Sequence, residues 1–174
     1  MAIVIAVCNQ KGGVGKSTTA VNVAAYIALA GQRTLLIDLD PQGNATTACG
    51  IQRKELQQDI YQVLVNGAMA AETITRTQVE RLDIIPSSLH LAGAELYLSS
   101  IEHRESALRR VCEPLKSDYD YVLFDCPPSL GLLTVNALVA AARIIIPVQC
   151  EYLALEGLSS LLHTVSLIQQ SHNS

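Results

Sequence analysis

The sequence predicts a doubly wound α/β fold, with a mostly parallel sheet of about five strands and helices on both faces. Short apolar runs alternate with segments whose apolar residues recur at helical spacing, which is typical of strand–helix–strand units with right-handed crossovers. Of the 174 residues, 49% are hydrophobic and 4% are aromatic, so the core has to be built from Ala, Val, Ile and Leu, as suits a sheet covered on both sides. We expect residues 1–174 to form a single domain, since a chain of this length can bury a sizeable core.

Predicted strands and helices follow each other regularly along the chain. Apolar runs at 2–7, 33–38, 82–85, 121–125 and 143–148 are the predicted strands. Helical patterns occur directly after the first strand and near 88–98, 103–115, 131–142 and 154–170, and one or two short helices are expected around 60–64 within the less regular stretch 44–80. Ligands of such sheets bind beyond the carboxyl ends of the strands, so the turns after residues 8, 38, 125 and 148 are expected to carry function.

A glycine-rich segment joins the first predicted strand to the first helix. It reads Lys-Gly-Gly-Val-Gly-Lys-Ser-Thr. Backbone N–H groups of such a turn and the positive end of the following helix dipole bind phosphate, and glycines let the backbone approach the ligand. Lys16 adds a charge for the β- and γ-phosphates, and Ser17 offers a hydroxyl to Mg²⁺. We therefore predict a P-loop rather than a plain turn, made of Lys11, Gly12, Gly13, Val14, Gly15, Lys16, Ser17 and Thr18.

A dinucleotide-binding domain is the main alternative for this segment. Residues 13–15 begin a G-x-G-x-x-G pattern, and Asp38 lies near the distance expected for a ribose-binding acid. However, Thr18 occupies the third glycine position, and a nicotinamide site has no use for the Lys-Ser pair that precedes it. The pattern therefore favours the phosphate-binding loop of a nucleoside triphosphatase.

Acidic residues end two of the predicted strands. Asp125 follows three apolar residues, an arrangement that places a strand-end carboxylate near Mg²⁺. Asp38 and Asp40 end the second strand, and the alternation of an extended chain puts both side chains on one side. Ser17, Asp38 and Asp125 are thus the predicted metal-binding residues. The alternative for Asp125 is a helix cap or turn former. For Asp38 and Asp40 it is a turn that caps the next helix, which the Pro and Gly that follow would also suit.

The glycine-rich segment departs from the common G-x-x-x-x-G-K-[ST] pattern, because position 10 is Gln and a second lysine, Lys11, precedes the glycines. This form resembles the deviant Walker A box of the ParA/MinD group of P-loop ATPases. Three further segments, 38–44, 119–129 and 147–158, resemble the second acidic box, the Walker B segment and the segment after the fifth strand in that group. The Asp-Pro-Gln and Asp-x-Pro-Pro details are more similar to ParA/Soj than to MinD.

The resemblance implies a cytoplasmic, nucleoid-associated bacterial ATPase that binds ATP and Mg²⁺, forms a homodimer on binding ATP, and drives plasmid or chromosome partitioning with a ParB-like partner. Lys16 and Ser17 would bind phosphate and metal, and Lys11 would act in trans on the nucleotide of the partner subunit. Asp40 would orient or activate the attacking water, and Asp125 would support Mg²⁺. Lys11, Lys16 and Asp40 are thus the predicted catalytic residues. The functional alternative is a nucleotide-dependent dimerisation switch of the MinD type, without a DNA role.

Family members are longer than this chain, which we therefore expect to lack a C-terminal part. In the family that part supplies further strands, much of the adenine pocket and basic DNA-binding residues. Here no Lys or Arg follows Arg143, and the formal net charge is −4, so we expect non-specific DNA binding in the longer parent but not in this chain. The sequence carries no secretory signal, membrane span or amphipathic membrane tail, and no membrane partner is expected.

The five cysteines, at positions 8, 49, 112, 126 and 150, have no paired spacing and are expected to be reduced thiols. Cys126 and Cys150 lie near the predicted site. Small apolar packing is favoured there over an iron–sulphur cluster of the kind that bridges two subunits in the related nitrogenase reductase. The four histidines are scattered, which favours surface or capping positions over metal binding.

Overall fold

The computed structural model describes residues 2–150 and 154–172, with the side chains of 2–150 and 158–170. Its centre is a six-stranded sheet. The strands are Ile3–Val7 (β1), Thr34–Asp38 (β2), Thr75–Arg76 (β3), Leu82–Ile85 (β4), Tyr121–Asp125 (β5) and Arg143–Ile145 (β6). Their spatial order is β3-β4-β2-β5-β1-β6. All pairings are parallel except that of β3 with β4, which confirms the predicted, mostly parallel sheet.

Helices occupy most of the chain between the strands. The α-helices are Lys16–Leu29 (α1), Asn44–Ala48 (α2), Ile60–Val65 (α3), Ala70–Thr73 (α4), Ala94–Ser99 (α5), Ala107–Cys112 (α6), Leu132–Ala140 (α7) and Ala154–His172 (α8). Short 3-10 helices span Arg53–Glu55, Leu89–Gly93, Arg104–Ser106 and Glu113–Ser117. Among the described residues, no helix combines the length and the apolar character needed to cross a membrane.

Alternate residues of the central strands face two separate cores, which lie on opposite faces of the sheet. In β1, Ile5 and Val7 belong to the smaller core, which is formed with α1 and α2. Val4 and Ala6 belong to the larger core, which includes residues of α3, α5, α6 and α7. The buried positions of α1 include three alanines spaced four residues apart, and such small side chains let a helix lie close to a sheet. Helices on both faces confirm the doubly wound architecture.

Two strands differ from the prediction. β3 was not predicted, because a two-residue antiparallel strand at the sheet edge is too short to give a period in the sequence. The fifth predicted strand, 143–148, ends at Ile145. Pro147 has no N–H to donate to a neighbouring strand, and its carbonyl oxygen instead accepts a hydrogen bond from Asn9 Nδ2 at 2.7 Å.

The predicted helices at 88–98 and 103–115 are each divided into shorter pieces. His103 has a φ of 53°, so the chain turns sharply before the second of them begins. α6 ends at Cys112, and Pro114 follows within a 3-10 helix, since the proline ring cannot continue α-helical hydrogen bonding. In α8, Leu161 is fully buried, but Leu162 is 50% exposed because it lies about 100° further round the helix.

The carboxyl ends of three adjacent strands meet at one edge of the sheet. Val7 in β1 aligns with Asp125 in β5, which in turn aligns with Asp38 in β2. Backbone hydrogen bonds continue beyond the strands, from Cys126 N to Val7 O at 3.1 Å and from Leu39 N to Asp125 O at 2.9 Å. The turns after β1, β2 and β5 therefore lie side by side, where ligands of parallel α/β sheets bind.

Candidate functional site

The glycine-rich segment forms a loop between β1 and α1. Gly13 and Gly15 have φ angles of 74° and 86°, a left-handed conformation that strongly favours glycine. Gly15 is also the residue before the first turn of α1, and no side chain caps that helix end. The N–H groups of the first turn therefore stay available at the mouth of the loop. An anion bound there would meet these groups and the positive end of the helix dipole.

Lys16 begins α1 and folds back over the loop. It is 7% exposed, and its Nζ donates a hydrogen bond to the carbonyl oxygen of Lys11 at 3.1 Å. An ammonium group has three donors, so this contact orients the side chain and leaves donors for phosphate oxygens. The arrangement is compatible with the predicted contact between Lys16 and the β- and γ-phosphates.

Two amide side chains contact the backbone at the start of the loop. Asn9 is 5% exposed, and its Oδ1 accepts a hydrogen bond from Lys11 N at 3.0 Å. Its Nδ2 donates to the carbonyl oxygen of Pro147 at 2.7 Å, while Gln149 Nε2 lies 3.5 Å from the carbonyl oxygen of Gly13. The segment after β6 thus helps to fix the start of the loop. Residues 151–153 of the family-like segment 147–158 lie outside the described residues.

Asp125 is a buried carboxylate at the end of β5. It is 0% exposed, and neither of its side-chain oxygens has a hydrogen-bond partner. Burial raises its pKa to about 7, the nearby charge of Asp38 adds to the rise, and the adjacent Ser17 hydroxyl and the Lys16 ammonium oppose it. The Ser17 hydroxyl is near enough to lower this pKa, but it forms no hydrogen bond with either oxygen. A buried carboxylate without a hydrogen-bond partner indicates that a bound ligand or ion satisfies its charge.

Asp38 lies at the end of β2 and is as fully buried as Asp125, but both of its side-chain oxygens accept hydrogen bonds. Oδ2 accepts hydrogen bonds from the N and Oγ1 of Thr46 at 2.8 Å and 2.7 Å, and Oδ1 accepts one from Asp40 N at 3.1 Å. Burial raises the pKa of Asp38 to about 6, although these hydrogen bonds oppose the rise. The contacts to Thr46, in the first turn of α2, match the helix-capping alternative. Metal binding by Asp38 stays a prediction that these contacts do not favour, because both of its side-chain oxygens already have partners.

Asp40 lies in the turn after β2 and is 7% exposed. Its Oδ1 accepts a hydrogen bond from Gln42 N at 2.9 Å, which is a local Asx-type turn. Its carbonyl oxygen accepts one from Ser87 Oγ at 2.8 Å. Arg53 donates to the carbonyl oxygens of Pro41 and Gln42. The backbone on both sides of Asp40 is therefore held in place.

The site brings the predicted phosphate-binding and acidic residues together at one edge of the sheet. The charges of Asp38 and Asp40 raise the pKa of Asp125, and that of Lys16 lowers it. Mg²⁺ that is bound together with phosphates needs one or two protein carboxylates. Asp125 is a buried carboxylate without a hydrogen-bond partner, and it lies beside the half-buried Ser17 hydroxyl and the glycine-rich loop. These groups fit a Mg-nucleotide. Within the described part of the chain, no group of three or more His, Cys, Asp or Glu could hold a metal ion by itself.

Comparison with known proteins assigns the chain to a family. Residues 2–174 match the family model described as an AAA domain (AAA_31). The chain is 54% identical over 173 residues to Sporulation initiation inhibitor protein Soj from Bacillus subtilis (strain 168), covering 99% of this chain and 68% of Soj. The chain belongs to the ParA/Soj family of P-loop ATPases. This membership confirms the resemblance that the motifs indicated.

Two further comparisons agree with this assignment. The chain is 50% identical over 170 residues to Chromosome partitioning protein ParA from Myxococcus xanthus (strain DK1622), covering 98% of this chain and 60% of that protein. The crystal structure of Cobyrinic Acid a,c-diamide synthase from Mycobacterium smegmatis with bound ADP and magnesium has the same fold, with a TM-score of 0.95, 42% identity, and coverage of 99% of this chain and 70% of that one. The chain spans 60–68% of the length of the two relatives.

Four residues that shape this ParA/Soj-type site were not singled out from the sequence. Asn9 directly precedes the loop, and Ser87 follows the end of β4, so the rule that strand ends carry function could have indicated both. Thr46 could not be singled out as easily from the sequence, because it is one of several hydroxyl residues that follow the acidic turn. Arg53 lies in the irregular stretch 44–80, where the sequence gives no indication that its guanidinium reaches back to the turn after β2.

The buried cysteines near the site, Cys8 and Cys126, behave as packing residues. Burial raises the pKa of the Cys8 thiol to about 11 and that of Cys126 well above its usual value, so both stay neutral. Cys126 is 1% exposed and does not reach a surface that a second subunit could share, as a bridging iron–sulphur cluster would require. Cys150 is exposed.

Proposed function

We propose that this chain is the nucleotide-binding part of a partition ATPase, which binds Mg-ATP at residues 11–18 and hydrolyses it. The observation that carries the proposal is the partnerless buried carboxylate of Asp125, which lies beside Ser17 and Lys16 at the mouth of the glycine-rich loop. The names of the Soj and ParA relatives and the ADP and magnesium bound to the Mycobacterium smegmatis protein support the same conclusion.

In this proposal the chain's own groups bind the triphosphate and orient water. The loop N–H groups, the α1 N-terminus and Lys16 neutralise phosphate charge, and Asp40 holds the attacking water in line with the γ-phosphate. Ser17 and Asp125 would hold Mg²⁺, with Asp125 acting directly or through a water. The metal would neutralise part of the charge on the triphosphate.

Lys11 carries the second part of the proposal, which is homodimerisation on ATP. Its backbone is held on one side by Asn9 and on the other by Lys16, so the start of its side chain has a defined position. A cation placed between two nucleotides offsets their phosphate charge when two subunits meet. We therefore assign Lys11 to the nucleotide of the partner subunit.

The proposed cycle also needs partners beyond the nucleotide. We infer that the longer protein binds non-specific DNA at the bacterial nucleoid, in the cytoplasm, and responds to a ParB-like protein. DNA binding is assigned to the longer protein because Asp and Glu number 16 in this chain against 12 Lys and Arg, which leaves little positive charge to neutralise DNA phosphates.

A nucleotide titration with Lys16→Ala tests the proposal. Loss of a charged donor should weaken Mg-ATP binding roughly 10- to 150-fold, given the free energy of one charge-assisted hydrogen bond. Lys54→Ala is the matched control, since Lys54 is exposed and lies outside the site. Unchanged affinity in Lys16→Ala would rule out the P-loop assignment. Light scattering with and without ATP tests dimer formation. If the longer protein forms an ATP dimer that does not bind DNA, the MinD-type switch is favoured.

A further inference from the structure

We propose that Ser87 and Thr46 are positioning residues for Asp40, because they tie its carbonyl group to the buried carboxylate of Asp38. The inference rests on the proposed ATP hydrolysis and on Asp40 as the residue that orients the attacking water. Neither Ser87 nor Thr46 contacts the nucleotide in this proposal, and both act through Asp40.

A continuous chain of hydrogen bonds connects the buried groups. Ser87 Oγ donates to the carbonyl oxygen of Asp40 at 2.8 Å, and Ser87 N donates to Thr46 Oγ1 at 2.9 Å. Thr46 Oγ1 donates to Asp38 Oδ2 at 2.7 Å. Asp38, Thr46 and Ser87 are each 0% exposed, so bulk water does not compete for these bonds. Buried polar networks of this kind hold their members in one arrangement.

The direction of each hydrogen bond is fixed by chemistry. The backbone N–H of Ser87 can only donate, so Thr46 Oγ1 accepts from it and uses its own hydrogen for Asp38. The carbonyl oxygen of Asp40 can only accept, so the hydroxyl hydrogen of Ser87 points to it. The bonds therefore run outward from Ser87, to the carbonyl oxygen of Asp40 on one side and through Thr46 to Asp38 on the other, and rotating either hydroxyl breaks a hydrogen bond.

The network holds Asp40 at both ends of its backbone unit. Asp40 N donates to Asp38 Oδ1 at 3.1 Å, while the carbonyl oxygen of Asp40 accepts from Ser87 Oγ at 2.8 Å and from Gly43 N at 2.9 Å. With both groups fixed, the direction of the Cα–Cβ bond is fixed, and Gln42 N at 2.9 Å then orients the carboxylate. A group that orients a reactant has to be held within about 0.5 Å of its productive position, and such accuracy needs support of this kind.

The support comes from rigid elements. Ser87 follows β4, which pairs with β2 in the central sheet, with Ile37 opposite Ile85. Thr46 lies in the first turn of α2. The turn that carries Asp40 is therefore held by a neighbouring strand and by a helix. Loss of the Ser87 hydroxyl removes one of these contacts without changing any residue that binds the nucleotide.

Substitution of the two hydroxyl residues, with a neighbour as control for each, tests the inference in the full chain. Ser87→Ala and Thr46→Val should each lower single-turnover ATP hydrolysis about 10-fold or more, since small displacements of catalytic groups cost up to about 100-fold. The ATP dissociation constant should stay within about twofold of that of the unmodified chain, because Asp40 is proposed to orient water and not to bind ATP in the ground state. Thr46→Ser, which keeps the hydroxyl, should restore most of the rate.

The controls use adjacent hydroxyls outside the network. Ser88 Oγ accepts a hydrogen bond from His90 N, and Thr47 Oγ1 donates to the carbonyl oxygen of Gly43. Ser88→Ala and Thr47→Val should therefore turn over ATP as the unmodified chain does. Equal rates for Ser87→Ala and Ser88→Ala would overturn the inference.

A double-variant cycle separates positioning from a general loss of stability. Asp40→Ala combined with Ser87→Ala should be no slower than Asp40→Ala alone, because Ser87 acts through Asp40. Additive losses would indicate a structural effect and overturn the inference. If Asp40→Ala itself hydrolyses ATP normally, or if the unmodified chain does not hydrolyse ATP, the proposed function fails and the inference falls with it.

Discussion

Replacement of Asp125 by Asn should stabilise the protein without nucleotide while abolishing its Mg-dependent nucleotide binding. The carboxylate is fully buried, and its oxygens have no hydrogen-bond partner in the described structure. Asn has nearly the same shape but no charge, so the substitution removes the desolvation cost of the charge and leaves the packing in place. The same change removes the group that would support Mg²⁺.

The size of the effect follows from the pKa of Asp125, which burial raises from 3.8 to about 7. A rise of about three pKa units disfavours the folded, charged form by roughly 4 kcal/mol. Between these two pKa values the folded chain binds more protons than the unfolded chain, so the free energy of unfolding falls as the pH rises, and the whole cost is present above pH 7. An unsatisfied Asn amide costs about 1–3 kcal/mol, which leaves a net gain of roughly 1–3 kcal/mol at pH 8.

Thermal unfolding of both proteins at pH 8 and pH 5, without nucleotide, measures this difference. For a chain of this length 1 kcal/mol corresponds to about 2–4 °C in Tm, so Asp125→Asn should unfold several degrees higher at pH 8 and show a much smaller advantage at pH 5. Asp59→Asn is the matched control, because Asp59 is a buried acid that caps α3 through Gln62 N and Asn caps about as well. A lower Tm for Asp125→Asn at pH 8 would refute the reasoning.

The remaining predictions concern turnover, assembly, DNA and packing. Asp40→Ala should keep ATP affinity within about twofold but slow hydrolysis about 100-fold, measured by titration and single turnover; a loss of binding would make it a ligand instead. Lys11→Ala should bind ATP as a monomer but form no ATP dimer in light scattering. The chain 1–174 should not shift DNA in a gel at physiological salt, with or without ATP. Gly131→Ala should lower the free energy of unfolding by about 1 kcal/mol, because a Cβ there would displace the Glu95 carboxylate from the start of α7. In a Glu95→Ala background, the same substitution should cost nothing.

Motifs with local causes were predictable from the sequence. The loop at 11–18 needs glycines, a lysine and a hydroxyl in a fixed order, so its position at the start of α1 could be read directly. Asp125 could be found because an acid after an apolar run marks the end of a parallel strand. The fold class followed in the same way from the alternation of strand and helix patterns, and the six-stranded sheet confirms it.

Features that depend on long-range pairing were not predictable. Ser87 meets Asp40 because β4 pairs with β2, and one sequence does not reveal the order of strands in a sheet. Arg53 reaches the carbonyl oxygens of the turn after β2 from a short 3-10 helix that no periodicity indicates. β3 was missed for the same reason, since two residues at an edge carry no pattern.

Asp38 and Asp125 have aligned positions on neighbouring strands but opposite hydrogen-bonding states. Asp38 accepts three hydrogen bonds from Thr46 and Asp40, so the protein itself satisfies its charge. Asp125 has no such donors, and its charge is left for a cation from outside. Two adjacent buried acids that both lacked partners would destabilise the sheet edge strongly, since each isolated buried charge is costly. We therefore expect Asp125 to meet Mg²⁺, and Asp38 to act through the turn that carries Asp40.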